Sequence, residues 1–229
     1  LFRSAIVDAG TPQCEEDLLS YLQSQNIGKP KYIFATHPHA DHIGSMAAVV
    51  DTFGCENFIM PEMVSYTQTF ENMLSSVEQA GCQTAYGVAG DTFTLGDAQL
   101  KLLWPTEGFD TSDPNEISLV LQVTYGEYSF LLTGDAGKDA EEGFLSQVQP
   151  VTVLKAGHHG SDTSSTEAFL QKAQPEYVVI SVGAGNSYGH PSPAMLERLD
   201  ENCQVLRTDE KGSIVFTVKE GELHVSTAR

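Results

Sequence analysis

Basic residues are scarce in this sequence: 12 Lys and Arg stand against 31 Asp and Glu over 229 residues, a formal charge of −19. A general nucleic-acid binder gains most of its affinity from Lys and Arg on phosphates, so that class is disfavoured. A basic helix lying on a membrane surface is excluded for the same reason. No apolar run approaches the ~18–20 residues that span a bilayer. Leu1-Phe2-Arg3-Ser4 lacks the charged and apolar regions of a signal peptide, and no Met opens the chain, which leaves export open. The four cysteines, Cys14, Cys55, Cys82 and Cys203, form no Cys-x-x-Cys pair, which removes zinc ribbons and dithiol redox motifs. Buried free thiols are the favoured reading, and up to two disulfides are the alternative in an oxidising compartment. The chain shows no low-complexity tract, short-period repeat or linker.

What is present is a globular pattern. Apolar residues make up 41% and charged residues 19%, enough for a core and too apolar for disorder, and one domain over residues 1–229 is expected. Strands are expected at Ala5–Asp8, Lys31–Thr36, Asn57–Met60, Asp91–Leu95, Leu100–Trp104, Ser118–Thr124, Tyr128–Thr133, Val151–Lys155, Tyr177–Val182, Val205–Arg207, Ser213–Lys219 and Glu222–Ser226. Helices are expected at Glu15–Gln25, Ile43–Phe53, Val64–Ala80, Lys138–Gln147, Ser165–Lys172 and Pro193–Asn202. The strongest is Val64–Ala80, where Phe70, Met73, Leu74, Val77 and Ala80 stand at i, i+3, i+4, i+7 and i+10, with Val64 upstream of them and Gly81 after them. β/α units flank a run of antiparallel strands, which suggests packed sheets with helices outside.

The chemistry concentrates in Thr36-His37-Pro38-His39-Ala40-Asp41-His42, between an apolar strand and a helix. Imidazole and carboxylate suit a borderline divalent ion such as Zn²⁺. His37 and His39 can point the same way on extended backbone, while Asp41 and His42 can face a second ion or activate water. A solvated loop rarely needs so many imidazoles.

His-x-His-x-Asp-His after a strand resembles the metallo-β-lactamase superfamily of hydrolases. Asp8-Ala9-Gly10, Thr133-Gly134-Asp135 and Ala156-Gly157-His158-His159-Gly160-Ser161 are similar to that family's early Asp-Gly segment, bridging aspartate and late histidine. Asn115-Glu116-Ile117-Ser118, the Asp135 and His158-His159 segments, and Asn186-Ser187-Tyr188-Gly189-His190-Pro191-Ser192 together resemble the soluble hydrolase domain of the ComEC-type competence channels. The resemblance runs from about Ala5 to Val218. It implies a four-layer αβ/βα sandwich of the α/β class, with the site at the top edge of the sheets and a further strand upstream of Ala5.

The resemblance also implies a site of two divalent cations, Zn²⁺ or Mn²⁺. No His lies between His42 and His158, so the first site is expected to be the weaker, held by His37, His39 and a share of Asp135, with water, Asp113 or Asn115 to complete it. The second takes Asp41, His42, Asp135 and one of the paired histidines, His159 being favoured. His158 would then touch substrate or support the shell. Asp8 braces the ligands by hydrogen bonds. Lys155 or His190 could neutralise a developing oxyanion, and Asn115, Ser161, Asn186 and His190 could contact substrate. Ordinary alternatives are a solvated Lys155, Asx turns at Asn115 and Ser118, and a turn role for His190. His224 is expected to be merely exposed.

The expected activity is metal-dependent hydrolysis of a phosphodiester by activated water. Hydrolysis of an ester, thioester or lactam, and a metal-stabilised binding domain without activity, are the alternatives. Net charge favours a small diester or a cell-surface polymer over long nucleic acid. No protein partner is implied. An extracytoplasmic location is expected, with the cytoplasm as the alternative.

Overall fold

A computed structural model describes residues 4–229. The first half of the chain alternates strands and helices: β1 (Ala5–Val7), α1 (Glu15–Ser24), β2 (Tyr32–Phe34), α2 (Ala40–Ile43), α3 (Met46–Phe53), β3 (Asn57–Met60), α4 (Gln68–Gln79) and β4 (Gln83–Tyr86). Antiparallel strands follow, β5 (Thr92–Leu95), β6 (Ala98–Trp104), β7 (Val120–Tyr125) and β8 (Tyr128–Leu132). Alternation then resumes with α5 (Lys138–Phe144), β9 (Val153–Lys155), α6 (Glu167–Ala173), β10 (Tyr177–Ile180), α7 (Pro193–Leu196), β11 (Gln204–Arg207) and α8 (Thr208–Lys211). A closing hairpin joins β12 (Ile214–Lys219) to β13 (Glu222–Thr227).

One sheet has the order β1-β2-β3-β4, all parallel; the other has the order β11-β10-β9-β8-β7-β6-β5 and is mixed. Three apolar cores define the layers. Tyr32, Phe34, Ile59, Leu100, Leu102, Leu119 and Leu121 fill the space between the sheets. Ile33, Phe58, Met60, Met46, Val49, Phe70 and Met73 form the core between the first sheet and its helices. Val120, Leu131, Leu154, Val178, Phe144 and Phe169 do the same on the far side. Successive residues of one strand serve different cores, as Tyr32, Ile33 and Phe34 do on β2, because side chains alternate across a strand and both faces are covered. The result is the expected four-layer αβ/βα sandwich.

Several boundaries differ from expectation. The helix expected at Ile43–Phe53 is two, α2 and α3, broken at Gly44 and Ser45. A Cβ on Gly44 would collide with Pro12 and the Ala40 carbonyl, so only glycine permits this close approach. The expected helix Val64–Ala80 starts at Gln68, because Thr67 caps it, its Oγ1 accepting from Phe70 N at 3.3 Å. The helix Pro193–Asn202 shrinks to α7. β4, not anticipated, is exposed along its whole length and pairs with β3 through its backbone. The reading of free cysteines is corrected for two of the four. Cys55 and Cys82, each just ahead of β3 or β4, are joined with Cα atoms 5.5 Å apart, a separation suited to a disulfide. Cys14 and Cys203 are free. No helix among the described residues is long and apolar enough to cross a membrane.

Candidate metal centre

The candidate ligands follow strand ends that share one rim. Asp8 follows β1, the His37–His42 segment follows β2, Asp135 follows β8 and the His158-His159 pair follows β9. Because β1 runs parallel to β2, and β8 to β9, each pair delivers its segments to the same edge. Gly134 lets the two sheets meet there. Its φ is +53°, and a Cβ on it would lie 2.9 Å from Ser118 Cβ and 3.0 Å from Thr36 Cβ. Ser118 Oγ accepts from Asp135 N at 3.0 Å and so fixes the next residue.

Hydrogen bonds then set the tautomers. Thr36 Oγ1 donates to Asp8 Oδ2 at 2.8 Å, so it can only accept from His37 Nδ1, 3.0 Å away. His42 Nδ1 donates to Asp8 Oδ2 at 2.7 Å, and His159 Nδ1 donates to the Ser181 carbonyl at 2.7 Å. In each ring the other nitrogen, Nε2, is left with a lone pair turned into the site. Thr36 N also donates to Asp8 Oδ1 at 2.8 Å, so Asp8 organises both the His37 and the His42 orientations.

Asp41, His42, Asp135 and His159 offer ligand atoms that all lie within 4.8 Å of one another. His42 Nε2 is 3.1 Å from Asp135 Oδ1 and 3.2 Å from His159 Nε2. His159 Nε2 is 3.1 Å from Asp41 Oδ2 and 3.4 Å from Asp135 Oδ2. With neutral rings these are all acceptors facing acceptors, an arrangement that repels itself until a cation enters. The donor set therefore fits a divalent ion. A proton can stand in for it: burial pushes His42 down, but hydrogen bonds to Asp135 and Asp8 outweigh burial and lift it to about 9. A proton on His159 Nε2 plays the same part, and the hydrogen bond it then gives Asp41 holds that carboxyl well below the usual carboxylate range. Burial opposes ionisation of Asp135, yet His42 and Lys155 hold it low.

Next to this group, His37 Nε2 lies 3.1 Å from His39 Nδ1 and 3.9 Å from Asp135 Oδ2. His37 is fully buried, and burial with its neighbour His42 lowers it to about 3, so it stays neutral. His158 Nε2 is likewise 3.9 Å from Asp135 Oδ2. His158 (φ 46°, ψ 47°) and His159 (φ 54°, ψ 24°) are both left-handed, at a cost of about 1–2 kcal/mol each for residues with a Cβ. The following loop is clamped on two sides. Glu141, buried, accepts from Ser165 N and Thr166 N, and Arg198 donates to the Asp162, Ser164 and Ser165 carbonyls. A cavity of about 340 Å³ beside Asp41, His42 and His159 gives access. A larger one, about 770 Å³ beside α6 and β11, contains none of these residues.

The remaining candidates take other places. Lys155 Nζ donates to the Gly134 carbonyl at 2.6 Å and sits 3.6 Å from Asp135 Oδ1, so its charge is spent on the aspartate rather than on an incoming oxyanion. Asn186 is consumed in its own turn: Nδ2 donates to the Gly183 and His190 carbonyls, and Oδ1 accepts from Tyr188 N and His190 N. Ser161 is buried and bonded to Thr163, not open to substrate. Asn115 Oδ1 is buried without a partner, ahead of β7. His190 stays at the mouth, its ring 5.7 Å from that of His158 and stacked under the exposed Tyr188. His224 is exposed on β13, as expected. Thr36 and the Ser181 carbonyl were not anticipated as supports. A backbone carbonyl leaves no sequence signal, whereas a threonine directly before His37 is a readable one.

Comparison with known proteins accords with this geometry. The chain is 32% identical over 208 residues to ComE operon protein 3 of Bacillus subtilis, covering 90% of this chain and 27% of that protein. It is 37% identical over 133 residues to Competence protein ComA of Neisseria gonorrhoeae, covering 56% of this chain and 19% of that protein. The chain thus spans about a quarter or less of the length of these relatives, which are ComEC-like competence proteins. The metallo-beta-lactamase fold protein YhfI from Bacillus subtilis superposes with a TM-score of 0.58 at 12% identity, covering 98% of this chain and 88% of that one. The family model described as the metallo-beta-lactamase superfamily matches residues 3–184. With that match over most of its length, the chain belongs to the metallo-beta-lactamase superfamily, a fold of metal-dependent hydrolases.

Proposed function

We propose that this chain is a metal-dependent phosphodiesterase. The observation that carries the reading is the convergence of Asp41, His42, Asp135 and His159, bare acceptors within 4.8 Å of one another, with Asp41, His42 and His159 on the wall of an open cavity and Asp135 buried behind them. A divalent cation held there, Zn²⁺ or Mn²⁺, would lower the pKa of a water molecule and polarise a phosphoryl oxygen. Asp41 is the half-exposed member of the set and stays ionised, so its carboxylate orients the attacking water by accepting a hydrogen bond from it. His190, which burial keeps neutral, offers an N–H to a substrate oxygen at the mouth.

The phosphodiester is favoured over a carboxylic ester, thioester or lactam because the relatives include one named for competence. At −19 the chain suits a small diester, or a diester group on a cell-surface polymer, better than long nucleic acid. The Cys55–Cys82 disulfide supports a place outside the cytoplasm.

The test assays bis-(p-nitrophenyl) phosphate, single-stranded DNA and p-nitrophenyl esters with the protein loaded with Zn²⁺ or Mn²⁺. The diester should be turned over fastest. Faster cleavage of the carboxylic ester would replace this reading with the esterase one, and no turnover by fully loaded protein would leave a binding domain.

A further inference from the structure

Tyr21, Tyr66, Tyr86, Tyr125 and Tyr188 are exposed. Among the described residues, Tyr188 is the one of these tyrosines whose ring is stacked on another ring. It lies over His190 with centroids 5.9 Å apart and planes 18° to one another, an offset stack. One face of the tyrosine is thereby covered, yet 82% of the residue is open to water, so its other face is bare. The turn that carries it is fixed. Asn186 Nδ2 donates to the Gly183 and His190 carbonyls, and its Oδ1 accepts from Tyr188 N and His190 N. A whole asparagine side chain thus holds an aromatic ring in water, where leaving it exposed forgoes the gain of burial. A rigid aromatic presents contact area at little entropic cost, as a recognition surface requires.

The turn also stands at the mouth of the metal centre. β10 runs parallel to β9, so the chain after β10 leaves by the same edge as His158 and His159. From there rings step outward: His159 to His158, 6.3 Å between centroids, His158 to His190, 5.7 Å, and His190 to Tyr188. His190 is near enough to His159 and Asp135 for both to act on its protonation. Lys155 and Arg198, which reach these loops, are taken up by Gly134, Asp135 and the loop carbonyls. The free surface on this side of the mouth is therefore an aromatic face.

We propose that Tyr188 is a specificity-determining residue that stacks on a planar aromatic base in one ester arm of the substrate, which makes the substrate a short nucleoside diester. This rests on the phosphodiesterase reading and names its substrate class. With the phosphate at the cluster of Asp41, His42, Asp135 and His159, one ester arm extends over His190, and its base continues the stack begun by His190 and Tyr188. Every base has a π-face, so the order of bases is not read. Stacking is not screened by salt as phosphate contacts are, which lets a chain at −19 hold a short nucleotide without a basic groove. A sugar or alkyl arm has no flat π-face to add to the stack.

Binding and turnover are measured separately, on protein saturated with Zn²⁺. Calorimetry compares adenosine monophosphate with ribose phosphate, which carries the same phosphate and sugar without the base. Wild type should bind the base-bearing compound roughly 5–100-fold more tightly, the range that one stacked base supplies, and the ratio should hold at raised salt. Tyr188→Ala should bring the ratio close to unity, and Tyr188→Trp should keep it. The turn uses the backbone N–H of Tyr188, which both variants retain. In wild-type nuclear magnetic resonance spectra, adenosine monophosphate should move the ring protons of Tyr188 upfield and leave those of Tyr21 on α1 in place. Equal wild-type affinity for the two phosphates would overturn the proposal, as would a Tyr188→Ala variant that keeps the ratio. A variant that weakens both ligands alike would overturn it too, since Tyr188 would then only position His190. In turnover, wild type should prefer dithymidine phosphate to glycerophosphocholine, chiefly through KM, and Tyr188→Ala should lose that preference. Protein that tells the two monophosphates apart but cleaves neither diester would remove the phosphodiesterase reading and leave a base-binding site. Cleavage of both diesters without preference would do the reverse.

Discussion

Replacing Asp8 by asparagine should weaken the metal centre without touching a ligand. Asp8 sits at φ 60°, a conformation asparagine also tolerates, so the backbone need not move. Its carboxylate accepts three hydrogen bonds, from Thr36 N, Thr36 Oγ1 and His42 Nδ1. The side-chain amide can place an oxygen at only one of the two carboxylate positions. If that oxygen stays on Thr36 N, the amide nitrogen faces His42 Nδ1. His42 must then carry its proton on Nε2, where the lone pair is needed. If the amide turns round, its N–H₂ meets the Thr36 N–H, and a buried donor goes unpaired at about 1–3 kcal/mol. Supports of this kind are typically worth 10–100-fold in metal affinity, or about 1.4–2.8 kcal/mol. Competition against a chromophoric chelator measures the affinity, and ¹⁵N-histidine spectra report the His42 tautomer. Wild-type affinity with His42 still protonated on Nδ1 would refute the assigned role of Asp8.

Asp41→Ala removes a half-exposed carboxylate that no core depends on, so the melting temperature of metal-free protein should hold while diester turnover is lost; retained turnover would displace Asp41 from the reaction. Replacing Cys55 and Cys82 together by alanine opens a loop of 27 residues, worth about 3.5 kcal/mol on the chain-entropy account, and denaturant unfolding should show that loss under oxidising conditions. Burial raises the Glu141 carboxyl above its usual 4.5, although Ser165 N and Thr166 N partly offset the shift. The native state therefore holds this proton more tightly than the unfolded chain does. The contribution is complete below about pH 4.5 and fades as the pH rises through the raised value. The stability of wild type relative to Glu141→Gln, followed by urea unfolding from pH 4 to 7, should accordingly fall with rising pH.

Much of the candidate site was legible because its candidate ligands are dense in sequence. His37, His39, Asp41 and His42 crowd one strand end, and Asp135 and His158-His159 each follow an apolar strand. The strands that bury both faces, such as β2, β3 and β9, were legible for a similar reason: their apolar runs are continuous. β4 was not, since Gln83–Tyr86 is an exposed edge whose pairing is purely backbone and leaves no apolar pattern. The start of α4 was misplaced because Val64 is an apolar residue just upstream of the Phe70–Ala80 pattern, yet it lies on exposed chain before the Thr67 cap. The Cys55–Cys82 pairing depends on β3 and β4 lying side by side, which spacing alone does not encode. Asn186 and Ser161 read as substrate contacts by position, but their hydrogen bonds are spent shaping the loops that carry His190 and His158. Lys155 could be placed at the rim from sequence, though not its turn onto Gly134 and Asp135.

The central claim is that Asp41, His42, Asp135 and His159 are bare acceptors arranged for a divalent cation. Calorimetric titration of chelator-stripped wild type with Zn²⁺, alongside Asp135→Asn, tests it most directly. Wild type should bind at micromolar affinity or tighter, on the order of −8 kcal/mol or better, and the variant at least tenfold more weakly. Binding no tighter than millimolar, or a variant that binds as well as wild type, would contradict it.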